Sequence, residues 1–131
     1  MMRILVVDDD KTTRKILSLY LKGKGYEVVT AENGLDALEK MGTDNINLVV
    51  TDMNMPFMDG IELTKTLKAD ANWEHVPILM VTTEADEEEK KRAAAAGVDD
   101  YLVKPANAEQ ITSSVKKILK KMFTQGGEDG V

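Results

Sequence analysis

The chain has no cysteine, so neither disulfide bonds nor thiolate chemistry are open to it. That absence suits a reducing compartment, and a cytoplasmic location is the expectation. Positive charge is not in surplus either. The 17 lysines and arginines stand against 23 aspartates and glutamates, a formal net charge of −6, which argues against a nucleic-acid surface. Lysines do gather near both termini, so one local basic face is compatible with that total. No stretch approaches the ~20 apolar residues of a membrane span. Met1 to Val7 is apolar too briefly for a secretory signal before it meets three aspartates. There is one histidine, His75, close to Pro77; a solvated loop residue is a plainer reading of it than a phosphohistidine carrier. No internal repeat, low-complexity tract or second domain is visible. What remains is 131 residues with 43% hydrophobic and 31% charged side chains, the profile of one acidic globular domain.

Short β-branched runs alternate with longer amphipathic ones. Ile4 to Val7 is a continuous apolar run, as expected of a strand buried on both faces. Lys11 to Lys22 predicts a helix with Thr13, Ile16, Leu17, Tyr20 and Leu21 on one face, closed by Gly23 and Gly25. Val28-Val29-Thr30 follows as a strand, and Asn33 is placed to cap a helix that turns Leu38 and Met41 inward. The third strand, Leu48 to Thr51, ends at Asp52. Asp59 and Glu62 have capping-box spacing before a helix with Ile61, Thr64 and Leu67 inward. Pro77 precedes the strand Ile78 to Val81. Asp86 to Ala96 is a helix with acids first and bases later, which suits the helix dipole and predicts i,i+4 pairs Glu87–Lys91 and Glu88–Arg92; Gly97 ends it. Tyr101 to Val103 is the fifth strand. Asn107 and Gln110 then open a helix that aligns Ile111, Val115, Ile118, Leu119 and Met122. Residues 1–122 thus form the domain, and 123–131, Gly-rich and acidic from Gln125 on, read as a flexible tail. Five strands alternating with five helices imply an α/β fold, a parallel sheet between helical layers.

In such a sheet, functional groups collect at the carboxyl ends of the strands. Strand one delivers Asp8 and Asp9, with Asp10 just beyond; strand three delivers Asp52. Strand four delivers Thr82 and Thr83, and strand five Lys104-Pro105. Taken singly these are bland: Asp10 reads as a helix cap and Lys104 as an exposed lysine. The conjunction is what counts. Packed carboxylates repel, and a hard divalent cation relieves that; Mg²⁺ suits oxygen ligands and shares its shell with phosphates. With Lys104 and Thr82 beside them, the carboxylates supply the parts of a phosphoryl-transfer site.

Val6-Val7-Asp8-Asp9, Thr51-Asp52-Met53-Asn54-Met55-Pro56, Met58-Asp59-Gly60, Val81-Thr82 and Lys104-Pro105, in this order and spacing, resemble the receiver domains of two-component response regulators. The likeness runs from Arg3 to about Met122 and is strongest to CheY-type single-domain regulators. It implies a flavodoxin-like, doubly wound (βα)5 fold with strand order 2-1-3-4-5. It implies Asp52 as the phosphoacceptor. Asp9, Asp52 and the carbonyl of Asn54 would hold Mg²⁺, with Asp8 acting through a water. Lys104 would pair with the phosphoryl group and precede a cis bond to Pro105, and Thr82 and Tyr101 would form a switch pair. The partners implied are a sensor histidine kinase or phosphotransfer protein, and an output protein on the face of helix four, strand five and helix five. Direct nucleic-acid binding and membrane insertion are not expected; a monomer or weak dimer is. The only catalysis implied is of the chain's own phosphorylation and dephosphorylation.

Three positions depart from the common pattern: Thr83 for a smaller residue, Ala106 for a frequent Phe, and Met53 for a Trp. The bulk of Thr83 bears on access to the phosphoryl group, while Asn54 and Glu84 flank the site and could orient water, so a short-lived acyl phosphate is the expectation. Trp73 reads as packing of the loop before strand four, and Met53, Met55 and Met58 as adaptable packing around the acceptor. Rival readings are separable. FMN binding needs a phosphate-cradling first loop, where three aspartates would repel phosphate. A dehalogenase-type phosphatase carries a second Asp two residues after its nucleophile, where this chain has Asn54. A receiver cut from a larger regulator, or a phosphorelay intermediate, shares the same chemistry.

Overall fold

Three strands are apolar almost without interruption: β1 (Arg3–Val7), β3 (Leu48–Thr51) and β4 (Ile78–Thr82). In a parallel sheet covered on both faces such runs belong in the middle. The computed structural model, which describes residues 1–129 with side chains through Thr124, places them there. The sheet order is β2-β1-β3-β4-β5, all parallel, with β2 (Glu27–Ala31) and β5 (Asp100–Val103) as the more exposed edges. The order expected from the resemblance is the one observed.

Alternate residues of the central strands face opposite layers. Ile4, Val6, Val50 and Val81 pack against Leu17 and Leu21 of α1 (Lys11–Lys22) and against Ile111, Val115 and Leu119 of α5 (Ala108–Asp129). Leu5, Val7, Val49 and Ile78 pack against Ala37 and Met41 of α2 (Gly34–Thr43) and Leu63 and Leu67 of α3 (Gly60–Lys68). Met80 joins Met53, Ile61 of α3 and Ala93 of α4 (Glu87–Ala96) in a smaller cluster. Each fully buried Leu, Ile or Val contributes about 1.5–3 kcal/mol from removal of apolar surface from water.

Local signals set the helix starts. The side chains of Asp10, Asn33, Asp59 and Asp86 accept backbone N–H groups of the first turns of α1 to α4. Asn107 and Gln110 form the full reciprocal capping box at α5, side chain to backbone in both directions, at 2.8 and 2.9 Å. Gly97 ends α4 in the left-handed region at φ +114°, where a Cβ would be strained.

The structure corrects several details. On α1 the buried residues are Leu17, Ser18 and Leu21, whereas Ile16 is exposed; the helix is turned toward both the sheet and α5, and Ser18 is accommodated by donating to the Arg14 carbonyl. On α4 the ion pairs run i,i+3, as Glu87–Lys90, Glu88–Lys91 and Glu89–Arg92, rather than i,i+4; both spacings are neighbours on a helix. Leu63, beside the expected Ile61, Thr64 and Leu67, is fully buried. The backbone of α5 is helical to Asp129, beyond Met122, the last inward residue read from the sequence; once a helix is nucleated each added residue gains a hydrogen bond. Residues 130 and 131 of the expected tail lie outside the described residues. Trp73 packs on the α2–α3 side of the core, as expected of a loop anchor, and His75 is exposed.

Candidate functional site

Because α1 lies on one face of the sheet and α3 on the other, the chain leaves β1 and β3 in opposite directions and opens a cleft between their carboxyl ends. Asp8 and Asp52 stand at that opening. Their backbones are fixed by the sheet: Asp8 N–H donates to the Ala31 carbonyl at 3.2 Å, and Asp52 N–H to the Val7 carbonyl at 3.0 Å.

Asp8 is 1% exposed, and both of its carboxylate oxygens are engaged. Oδ1 accepts Asp10 N–H at 2.9 Å, and Oδ2 accepts Lys104 Nζ at 2.8 Å. Its carbonyl accepts Arg14 Nη1 at 2.7 Å. Asp52 is 12% exposed at its side chain. Its Oδ1 accepts Met53 N–H at 2.7 Å, and its Oδ2 lies 3.5 Å from Lys104 Nζ. Asp9 is exposed. Carboxylate oxygens of Asp8, Asp9 and Asp52 all lie within 4.8 Å of one another. Three hard oxygen donors, one of them open to solvent, form a donor set that fits a divalent cation of the Mg²⁺ or Ca²⁺ kind, and Asn54 lies exposed two residues past Asp52.

Lys104 reaches this cluster from the end of β5. Burial pushes its pKa down, but the hydrogen bond to Asp8 and the charges of Asp52 and Asp8 more than reverse that, so the ammonium is held above the ordinary lysine value. Asp10 takes the other role read for it. It caps α1, and its bonds from the Thr13 hydroxyl and N–H hold its carboxyl below the usual range. The Lys104-Pro105 bond is cis, as the resemblance implied.

Thr82 is fully buried at the end of β4, and its Oγ1 accepts Glu84 N–H at 3.3 Å. Tyr101, half-buried on β5, donates its hydroxyl to the Glu84 carbonyl at 2.7 Å. Residues expected to act as a pair therefore hold the N–H and the carbonyl of one residue, Glu84. Burial, and then the nearby charges of Glu84 and Glu89, push the Tyr101 phenol up to about 12. Thr83 is exposed and, with Ala106, lines a groove of about 440 Å³ beside Lys104.

Sequence reasoning missed two supports of Asp52. The buried Thr51 donates its hydroxyl to the Asp52 carbonyl at 2.9 Å. Gly60 presses on the same carbonyl: a Cβ there would stand 2.1 Å from it, and Gly60 N–H donates to the Met53 carbonyl at 2.7 Å. The Met-Asp-Gly segment was visible, but a close approach of backbone to backbone leaves no mark beyond the glycine itself.

Residues 4–116 match the model of the response regulator receiver domain. The chain belongs to that family. As a receiver, it is a component of two-component signalling. It is 39% identical over 122 residues to the chemotaxis protein CheY of Pseudomonas aeruginosa, covering 92% of this chain and 98% of that protein. It is 41% identical over 122 residues to chemotaxis protein CheY-3 of Vibrio cholerae, covering 92% and 94%. Among solved structures, a CheY-like receiver domain protein of Methanospirillum hungatei superposes with a TM-score of 0.89 at 30% identity, over 95% of this receiver and 98% of the other chain. No described helix of the receiver is long and apolar enough to cross a membrane.

Proposed function

We propose that this receiver accepts a phosphoryl group on a carboxylate oxygen of Asp52 from a phosphohistidine of a kinase or phosphotransfer protein. The oxygen attacks phosphorus, and the P–N bond breaks with its electron pair left on the imidazole nitrogen, which takes a proton from water. Hydrolysis later returns the carboxylate and inorganic phosphate, and the chain catalyses nothing beyond these two steps on itself. The observation that carries this reading is the arrangement of Lys104 between Asp8 and Asp52, at 2.8 and 3.5 Å. A positive group beside the acceptor is positioned to neutralise the incoming phosphoryl oxygens without reorganisation.

Mg²⁺ held by Asp9, Asp52 and the Asn54 carbonyl, with Asp8 through a water, would supply further neutralisation of phosphoryl charge. The chain's own residues do the rest. Lys104 has an ammonium that stays charged at any working pH. Thr82 and Tyr101 offer the readout. If the Thr82 hydroxyl turns toward a phosphoryl oxygen, the Glu84 N–H loses its acceptor, and the carbonyl that holds Tyr101 is freed to move. The surface altered would be that of α4, β5 and α5. The likeness to proteins named for chemotaxis favours an output of that type.

Incubation with acetyl phosphate, with and without Mg²⁺, followed by intact mass measurement, tests the reading. Wild type should gain one phosphoryl mass, dependent on Mg²⁺, and Asp52→Asn should gain none. No gain by wild type, or equal gain by Asp52→Asn, would sink it.

A further inference from the structure

Among the described residues Phe57 is the one non-glycine with a positive φ, at +70°. Met58 N–H donates to the Pro56 carbonyl at 2.8 Å, an i to i+2 bond that closes a three-residue turn on Phe57. With positive φ at its centre this is the rare, strained form of the γ-turn. Glycine or asparagine would sit there at lower cost than a bulky side chain. The fold draws no return from the ring, which is 81% exposed and part of no apolar cluster. A strained backbone carrying an aromatic ring into solvent is a feature that stability alone does not explain.

Its surroundings extend the apolar surface. Met55 and Met58 turn inward against the α2–α3 side of the core. Met58 lies against Gly34, where a Cβ would stand 2.7 Å from its side chain. That contact brings the first turn of α2, with its half-exposed Leu35, to the same rim. The rim is continuous in sequence with Asp52, because the loop that carries Phe57 runs from Asp52 to Asp59, the cap of α3.

We propose that Phe57 is the docking anchor for the protein that presents its phosphohistidine to Asp52. This rests on the reading of Asp52 as acceptor. A protein donor has to settle on the carboxyl-end rim of the sheet, and the Phe57 loop is the wall of that rim on the α3 side. The cleft itself is lined by the charged Asp8, Asp9, Asp52 and Lys104 and offers charge rather than apolar contact. Attraction therefore comes from apolar contact outside the charged cleft, and an exposed aromatic beside adaptable methionines supplies it. A small phosphodonor needs no such anchor.

The test compares Phe57→Asn, which keeps a residue tolerant of positive φ, with Phe57→Leu, which keeps an apolar one. Transfer is timed from the autophosphorylated histidine kinase that proves the fastest donor to wild type in a panel, and separately from acetyl phosphate. Phe57→Asn should lose about tenfold or more in rate from the kinase, as removal of an aromatic interface anchor does. It should keep the acetyl phosphate rate and a thermal midpoint no lower than wild type, and Phe57→Leu should keep most of the kinase rate. The proposal is overturned if Phe57→Asn keeps the kinase rate, if it slows equally with acetyl phosphate, or if its midpoint falls. It is also overturned if no kinase outpaces acetyl phosphate on wild type. Asp52→Asn, run alongside, reports on the acceptor alone: phosphoryl gain by that variant would remove the underlying reading whatever Phe57 does.

Discussion

Helices α3 and α4 are neighbours on the same face of the sheet, and they are held in opposite ways. α3 buries Gly60, Ile61, Leu63, Thr64 and Leu67, and its first residue is bonded into the acceptor loop. α4 buries Ala93 alone and decorates its exposed side with three ion pairs, each of the weak surface kind. Two fully buried leucines give α3 several kcal/mol of apolar burial that a single alanine methyl cannot match. Asp52 thus rests on an element that resists displacement. The side proposed to read it out rests on one held by little burial, as low-stability segments are.

The largest effect should come from disturbing the fastened side. Gly60→Ala puts a methyl where 2.1 Å separates it from the Asp52 carbonyl oxygen, so either α3 or the acceptor backbone must shift. Overpacking of this kind, against backbone rather than a flexible side chain, should cost about 3 kcal/mol by urea denaturation and lower phosphorylation at Asp52 as well. On α4 the exposed Ala95→Gly should cost only about 1 kcal/mol of helix propensity. Equal losses at the two positions would erase the contrast.

That asymmetry was only half legible in the sequence. Apolar runs marked β1, β3 and β4, and side-chain oxygens at Asp59, Asn107 and Gln110 marked helix starts, because both signals act over a few residues. The acids, hydroxyl and lysine were assigned to one rim by strand ends alone, and the structure brings Asp8, Asp9, Asp52 and Lys104 together there. What was hidden depends on contacts between distant segments. Gly60 and Gly34 are tight because other backbone or Met58 lies against them. Ile16 faces out because α1 is turned to meet α5. The Asp100 carboxylate accepts from the Ser114 hydroxyl of α5, a pairing no local pattern announces. The strain at Phe57 likewise belongs to a turn whose residues, read alone, suggest only adaptable packing.

Lys104 joins the two regions, since it leaves β5 on the readout side and pairs with Asp8 and Asp52 on the fastened side. Lys104→Met keeps most of the packing and removes the charge, leaving Asp8 without its ammonium at 1% exposure. A loss of about 2 kcal/mol is expected in metal-free buffer, less than for a fully buried pair because the cluster is partly open to water. The sign with pH follows from the raised lysine pKa. The wild-type advantage is fully present below the ordinary lysine value of 10.5 and is lost as pH rises through the higher folded value. An advantage that vanished between pH 7 and 9 would show that Lys104 is not the tie.

The smallest effect should come from the readout side, at the hydroxyl that holds the loop before α4. Tyr101→Phe removes only the 2.7 Å bond to the Glu84 carbonyl, which a freed loop can offer to water, so about 1 kcal/mol or less is expected. The same variant isolates the phenol: a difference ultraviolet titration, wild type minus Tyr101→Phe, should give one ionisation centred at about 12. Because the folded value lies above the ordinary 10.0, the unfolded chain ionises first, and stability falls as pH rises from 10.0 toward 12. Phosphorylation sharpens the contrast further. If Thr82 releases the Glu84 peptide and the phenol leaves its carbonyl, the difference midpoint should shift on modification of Asp52, while the urea midpoint of Gly60→Ala stays low in either state. A phenol midpoint indifferent to phosphorylation would mean that the loosely held helix is not reading the acceptor through Tyr101.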